Sequence, residues 1–186
     1  KQFFAQLYAH ADVEAEPNSA GRQMNSHLAS RLLDASGKWR PQTEMFNTSA
    51  DASSTASQMP RLVGLAFASR LYRELPDLHE LTDFSRNGEE IALGTIGNAS
   101  CAEVHFWETI NAAGVMQVPL AVSVWDDGYG ISVPKDLQTT KKSISTALSG
   151  MADDGEDEGL IIMKGKAWDY PGLVKLYEEG IERVRK

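Results

Sequence analysis

The stretch from Ile91 to Val133, IALGTIGNASCAEVHFWETINAAGVMQVPLAVSVWDDGYGISV, constrains the fold more than any other part of the chain. It opens with an apolar run, Ile91 to Ile96, that stops at Gly97. Small residues follow, Asn98 to Ala102, and then a helical pattern begins. A second apolar run, Pro119 to Trp125, ends in Asp126-Asp127-Gly128. The order is strand, tight turn, helix, strand, acidic turn: a βαβ unit with polar groups at both strand ends. The rest of the chain reads as packing for this unit.

Residues 1–9 carry Phe3, Phe4, Leu7 and Tyr8 at the spacing of a helix that faces a core. A polar connection, Glu14 to Gly21, leads through Arg22-Gln23-Met24-Asn25-Ser26-His27 to a short apolar segment ending near Leu33. Residues 34–57 are weakly patterned and rich in Ser, Thr, Ala, Asn and Asp. A loop of that length is usually functional or disordered, and the strongly patterned helix behind it favours function. That helix has Ser57 as its N-cap and Pro60 in its first turn, and it repeats Met59, Leu62, Val63, Ala66, Phe67 and Leu71. The polar residues 74–89 carry the turn Arg86-Asn87-Gly88.

Within the central unit, the helix from Glu103 to Ala113 presents Phe106, Trp107, Ile110 and Ala113 to a core, with Gly114 as its stop. Beyond Pro134, Gln138 to Leu148 is helical in character and ends at Gly150. The acidic run Met151 to Gly159 lacks the ligand spacing of a calcium loop and reads as a solvated surface loop. Leu160 to Met163 reads as a short buried strand. Asp169 then caps a last helix, with Pro171 in its first turn and a stripe of Leu173, Val174, Tyr177, Ile181 and Val184. Strands alternating with helices imply an α/β fold, a mainly parallel sheet with helices on both faces. No repeat or linker divides the chain, so residues 1–186 are expected to form a single domain.

Charge and cysteine usage narrow the function. With 26 acidic against 18 basic residues the net charge is −8, which argues against nucleic-acid or anionic-membrane partners. No apolar run approaches the roughly 20 residues that span a bilayer. The start lacks the long apolar core of a secretory signal, and because it begins with Lys1 rather than Met the chain reads as a cut piece of something longer; the single cysteine makes a cytoplasmic location the expectation. The single cysteine, Cys101, excludes an internal disulfide or a cysteine-rich metal site. His105 lies four residues on, at the spacing of one helix face, but Cys101 reads as a small packed residue rather than a nucleophile. His10 and His79 read as surface residues, His27 and His105 as structural. Trp107, Trp125 and Trp168 read as packing, with Trp125 as a wall beside the acidic turn.

Ligands of open parallel sheets bind outside the carboxyl ends of the strands. Gly97-Asn98-Ala99-Ser100 would bring backbone N–H groups close to a ligand, and the helix behind adds its positive end; together they suit a phosphate or diphosphate. The other strand end supplies Asp126 and Asp127, which would repel an anion unless a cation lay between. Magnesium bridging a diphosphate satisfies both ends. Asn98 and Asp127 would hold the metal, with the Tyr129 carbonyl as a third ligand. The alternative is a Rossmann-like turn with a solvated aspartate pair, and these residues alone leave both readings open.

The spacing from Gly97-Asn98-Ala99 to Asp126-Asp127 resembles the thiamine-diphosphate motif, which runs from Gly-Asp-Gly to Asn-Asn. It is most similar to the alpha part of the decarboxylating component of 2-oxoacid dehydrogenase complexes, of pyruvate or branched-chain type. Gly128, Tyr129, Ile131, Ser132 and Pro134 fit the Gly-Tyr and Ile-Ser-x-Pro of that family, and Glu103 fits its Ser-Glu-Gly. Gly21-Arg22-Gln23-Met24 with His27, Gln58-Met59-Pro60 with Gly64 and Ala66, and Gly165 with Asp169 resemble further family segments. SVWDDGYGISVP, Ser123 to Pro134, is similar to bacterial versions in which alpha and beta parts are fused.

The resemblance implies a thiamine-diphosphate-binding fold. Asn98, Asp127 and the Tyr129 carbonyl would bind magnesium; Gly97, Ala99, Ser100 and Glu103 would contact the diphosphate. Ser53 and Thr55 would meet the aminopyrimidine side of the cofactor. The partners implied are the beta part, fused or separate, in a homodimer or heterotetramer, and a lipoyl-bearing acyltransferase that takes the acyl group. Three departures stand out. Asn98 and Asp127 exchange the family's Asp and Asn, which keeps one negative charge in the pair. Ala102 replaces Ser and Val104 replaces Gly, which weighs against tight diphosphate contact. The resemblance also puts the diphosphate-gripping Tyr-Arg pair, the histidine loop and the activating glutamate outside these residues, so the isolated chain should turn over little or nothing. A degenerate domain retained for assembly, or a transketolase-like enzyme, are the other readings. An apolar patch near Tyr129 and the Ser53 loop is expected where a partner would sit.

Overall fold

In the computed structural model, residues 1–50, 52–156 and 158–186 are described. They divide into two compact units, residues Lys1–Ser54 with Pro76–Asn87, and residues Thr55–Leu75 with Gly88–Lys186.

The first unit is held by turns and side-chain bonds rather than by a sheet. Its helix α1 spans Gln2–Leu7. The expected stripe does not face a core: Phe3, Phe4, Leu7 and Tyr8 are exposed, and the buried residues are Ala5 and Gln6. Backbone groups decide this. Gln6 donates from Nε2 to the His27 carbonyl at 2.8 Å and accepts from the Ser26 N–H at 2.9 Å, while Gln2 does the same for the Ala29 carbonyl and N–H. Turning these amides inward satisfies a chain segment that has no ladder partner of its own. Glu16 is fully buried, and its carboxylate accepts from the N–H groups of Asn18, Ser19 and Gly21 and from the Ser19 hydroxyl. Gly21 has φ +68°, and a Cβ there would lie 2.1 Å from the His10 carbonyl oxygen, so only glycine fits. The weakly patterned segment forms a tight turn, in which Leu33 and Trp39 make a single antiparallel bridge, and a 3₁₀ turn at Gln42–Glu44.

The second unit contains the βαβ arrangement. Helix α2 covers Gln58–Glu74, strand β1 Ala92–Gly97, helix α3 Val104–Met116 and strand β2 Leu120–Trp125. β1 and β2 are parallel, with Ala92 opposite Leu120 and Gly97 opposite Trp125. Because residues in register share a face, the sheet sorts into two sides. Gly94 meets Leu62 of α2, so Ala92, Ile96, Leu120, Val122 and Val124 look toward α2. Ser123 bonds Tyr177 on the opposite side at 2.6 Å, and Tyr177 belongs to α5, Tyr170–Arg185. Helices therefore cover both faces of a parallel α/β sheet, though among the described residues this sheet has two strands. Met59, Leu62, Ala66, Ile96, Phe106 and Ile110 form its core.

Several boundaries differ from the sequence reading. Ser57 stands at the start of α2 but has helical dihedrals, and its buried hydroxyl has no partner; the break comes from Ala56, whose φ is +61°. Val63, Phe67 and Leu71 lie outside the fully buried stripe of α2. α3 runs through Gly114 and stops where Gln117 turns left-handed, with φ 47°. Arg70 donates to the Met116 carbonyl there, a cation at a helix C-terminus. Leu160 to Met163 is not a strand: Leu160 makes one bridge to Ala152, and α5 approaches closely enough that a Cβ at Gly165 would lie 2.9 Å from Leu173. Between Lys135 and Met151 the chain makes 3₁₀ turns around one short helix, α4, Ile144–Ala147. Asp169 does cap α5, accepting from the Gly172 N–H at 3.1 Å. No helix among the described residues is long and apolar enough to cross a membrane.

Candidate metal–diphosphate site

The parallel register brings the two strand ends side by side. Beyond the last pair, Gly97 with Trp125, the Asn98 N–H donates to the Trp125 carbonyl at 3.0 Å. Asn98 is thereby pulled under the sheet edge and is 3 % exposed. Its amide Nδ2 is buried without a partner. A half-turn about χ2 exchanges the two ends of an amide, so this position can present an oxygen to a cation or an N–H to a phosphate.

After Asn98 the chain makes a 3₁₀ turn, Ser100–Ala102, before α3. The N–H groups of Cys101, Ala102 and Glu103 bond back within this turn, to Asn98, Ala99 and Ser100. The cradle therefore does not offer those three amides to a ligand. Val104 and His105, in the first turn of α3, are among the N–H groups a helix cannot satisfy itself. Glu103 occupies the N-cap without a side-chain capping bond, and Val104 is exposed. A Cβ built on Gly97 would meet nothing within 4 Å, so the space above the turn is open.

The acidic turn divides its two carboxylates. Asp126 accepts from the Gly128 N–H at 2.9 Å and pairs with Lys135 Nζ at 2.9 Å. Asp127 accepts from the Tyr129 N–H through Oδ1 at 3.0 Å; no hydrogen bond or ion pair among the described residues involves its Oδ2. Gly128, at φ +87°, turns the chain into a hairpin of β3, Tyr129–Gly130, and β4, Val133–Pro134. Tyr129 lies opposite Pro134, which has no N–H to give to the Tyr129 carbonyl. The hairpin folds onto the first turn: a Cβ at Gly130 would lie 2.5 Å from Ala99 Cβ.

The structure thus brings Gly97, Asn98, Ala99 and Ser100 together with the turn that bears Asp127 and Tyr129. Among the described residues no group of three or more His, Cys, Asp or Glu side chains would hold a metal. A cation here would draw on an amide oxygen, one carboxylate and a carbonyl, an all-oxygen set suited to magnesium. The orphaned amide and the open space over Gly97 fit a metal-bound diphosphate. Thr55 belongs to the second unit and is exposed. Ser53 belongs to the first, with its hydroxyl 3.5 Å from His27 Nε2. Asp51 and Asp157 lie outside the described residues, so the acidic run is described only in part.

Cys101 is 1 % exposed and donates weakly to the Gly97 carbonyl at 3.4 Å. Burial, with a smaller contribution from the Asp126 charge, pushes its thiol up to about 12. It is a packed residue, and it lies in the 3₁₀ turn, not on the helix that carries His105. Trp125 and Trp168 are exposed instead of packed, as are Tyr129, Ile131 and Leu137. Exposed apolar side chains therefore stand near Tyr129 along the chain. Sequence reasoning missed Lys135 and Gln138. They reach the site across the hairpin, at separations with no helical or strand period; the only local signal was the return at Pro134.

Two comparisons bear on this geometry. Residues 2–157 match the family described as "Dehydrogenase E1 component". Over 144 residues the chain is 29 % identical to the 2-oxoisovalerate dehydrogenase subunit alpha of Bacillus subtilis (strain 168), a match covering 76 % of this chain and 34 % of that protein. The chain spans about a third of the length of this curated relative. With most of its length matched, from α1 through the Gly97–Ser100 and Asp126–Tyr129 turns, the chain belongs to the dehydrogenase E1 component family.

Proposed function

We propose that this chain holds the magnesium–diphosphate end of thiamine diphosphate in the alpha part of a 2-oxoacid dehydrogenase. The observation that carries the reading is the buried, unpartnered Asn98 amide beside Asp127 at the ends of two parallel strands. When bound, the cofactor supplies the carbanion chemistry by which a 2-oxoacid loses carbon dioxide. This chain's own part is to bind and orient. Asn98, Asp127 and the Tyr129 carbonyl hold the cation. Gly97, Ala99, Ser100 and Glu103 lie along the diphosphate, and Ser53 and Thr55 serve the aminopyrimidine side. Residues 1–186 act as one cofactor-binding domain. Lys135 neutralises Asp126 and so lowers the repulsion an incoming diphosphate meets.

The substrate is a 2-oxoacid, and 2-oxoisovalerate, named in the relative, is the first to assay. The exposed Tyr129, Ile131 and Leu137 suit a beta part, fused or separate, in a homodimer or heterotetramer. The acyl group passes to a lipoyl-bearing acyltransferase, the enzyme works in the cytoplasm, and the net charge of −8 argues against nucleic-acid partners.

Calorimetry of the full-length protein with thiamine diphosphate is expected to show binding that requires magnesium. Binding without metal, or none, overturns the proposal. The amide at position 98, where the resemblance sets a carboxylate, favours a second reading: a domain kept for assembly. Binding that is absent from the natural protein and appears in Asn98→Asp would select that reading.

A further inference from the structure

Gln138 follows the 3₁₀ turn Lys135–Leu137, bonds the hairpin and stands with Ala99 beside Gly130. Its Nε2 donates to the Val133 carbonyl at 2.7 Å, which ties its amide to β4. Val133 pairs with Gly130. A Cβ added at Gly130 would lie 2.6 Å from Gln138 Nε2 and 2.5 Å from Ala99 Cβ. Ala99 and the Gln138 amide thus converge on the one side of Gly130 where a side chain would lie, and leave no room for it. Gln138 is itself anchored, since its N–H donates to the Lys135 carbonyl at 2.9 Å. Lys135 in turn donates from its backbone N–H to Gly128 and pairs with Asp126. The remaining Gln138 atom, Oε1, is buried with no partner, as is Nδ2 of Asn98.

A buried amide with one end bonded and the other unsatisfied costs free energy in the cofactor-free protein. Such a cost is retained where a group serves another state of the molecule. The bonded end of Gln138 holds β4 of the hairpin that begins at Tyr129, and the same amide meets Ala99, next to Asn98, at Gly130. From this we infer that Gln138 is a positioning residue for the metal clamp: it presses β3–β4 onto the Gly97–Ser100 turn and so sets Asp127 and the Tyr129 carbonyl beside Asn98. The inference rests on the magnesium–diphosphate reading above and adds a residue that touches neither metal nor cofactor. Groups that orient ligands in this way tune affinity rather than create it, commonly by 10- to 100-fold.

The test uses the full-length protein and Gln138→Met, which keeps length and apolar volume but removes donor and acceptor. Magnesium is titrated at fixed thiamine diphosphate, and amide hydrogen exchange is read across residues 128–134 of the cofactor-free protein. Gln138→Met is expected to weaken magnesium about 10-fold or more, with faster exchange confined to the hairpin. Gly130→Ala, which forces a Cβ between Ala99 and Gln138, is a second variant acting on the same contact. The Gly130→Ala and Gln138→Met effects on magnesium affinity are expected to be less than additive in the double variant, because both act through one contact. An unchanged magnesium constant in Gln138→Met beside a normally binding natural protein overturns the inference alone. Full additivity overturns it too, since the two residues would then act separately. If the natural protein binds no magnesium with the cofactor, the functional reading fails and the inference falls with it.

Discussion

Glu16 is a fully buried carboxylate with four donors around it and no basic partner among its hydrogen bonds. Burial acts to raise its pKa, but the bonds from Ser19, Gly21 and Asn18 outweigh it and hold the group at about 2, below its ordinary 4.5. A depressed folded-state pKa contributes stability that is present above about 4.5 and lost as pH falls from there toward about 2. Glu16→Gln, which turns an N–H group toward donors, is expected to lower stability by about 2 kcal/mol at pH 7 and by much less near pH 2–3. Denaturant midpoints at the two pH values check this. Cys101 makes the opposite case, with its thiol pushed up by burial. Its alkylation by iodoacetamide at pH 8 is expected to be slow in the folded protein and to accelerate by orders of magnitude on unfolding, read by mass spectrometry.

Elements meet where side chains are small. Gly94 lets β1 approach α2: a Cβ there would lie 2.1 Å from Leu62 Cδ1. Leu62 can rotate away only into a packed core, so Gly94→Ala is expected to cost about 1–3 kcal/mol in thermal or chemical unfolding. Gly88 has φ +76° and a Cβ there would lie 2.3 Å from the Ser69 carbonyl, so the chain can enter β1 beside α2 only through glycine. Periodicity found α2, α3 and α5 because a helix repeats its buried positions locally. It did not find their ends. α3 ignores Gly114 because the helix continues at small cost until Gln117 and Arg70 close it. Ser57 does not cap α2 because its own backbone is helical, leaving its oxygen nothing to accept.

At the level of the whole chain, the second unit leaves Trp125, Tyr129, Ile131 and Leu137 in solvent around the clamp. Ile131 also holds φ +58°, in the two-residue connection between β3 and β4, where a tight hairpin turn calls for a positive φ. Ile131→Asp is expected to leave the unfolding temperature nearly unchanged while weakening assembly of the full-length protein with the beta part proposed above about tenfold or more, by sedimentation velocity.

The α/β class, the two parallel strands, the crossover helix and the pairing of Gly97–Ser100 with Asp126–Tyr129 were all legible in the order of residues. Apolar runs, turn glycines and polar strand ends are local signals, and parallel register follows from the crossover between them. What required the folded chain was everything set by distant partners. Gln6 is buried and Phe4 exposed because backbone groups at Ser26 and His27 need an amide. The Cys101, Ala102 and Glu103 amides are consumed by their own turn. Lys135 and Gln138 reach the clamp through a hairpin whose geometry depends on Gly130 meeting Ala99. Local chemistry specifies which groups stand at a strand end, while hydrogen-bond satisfaction and close packing decide which of them remain available to a ligand.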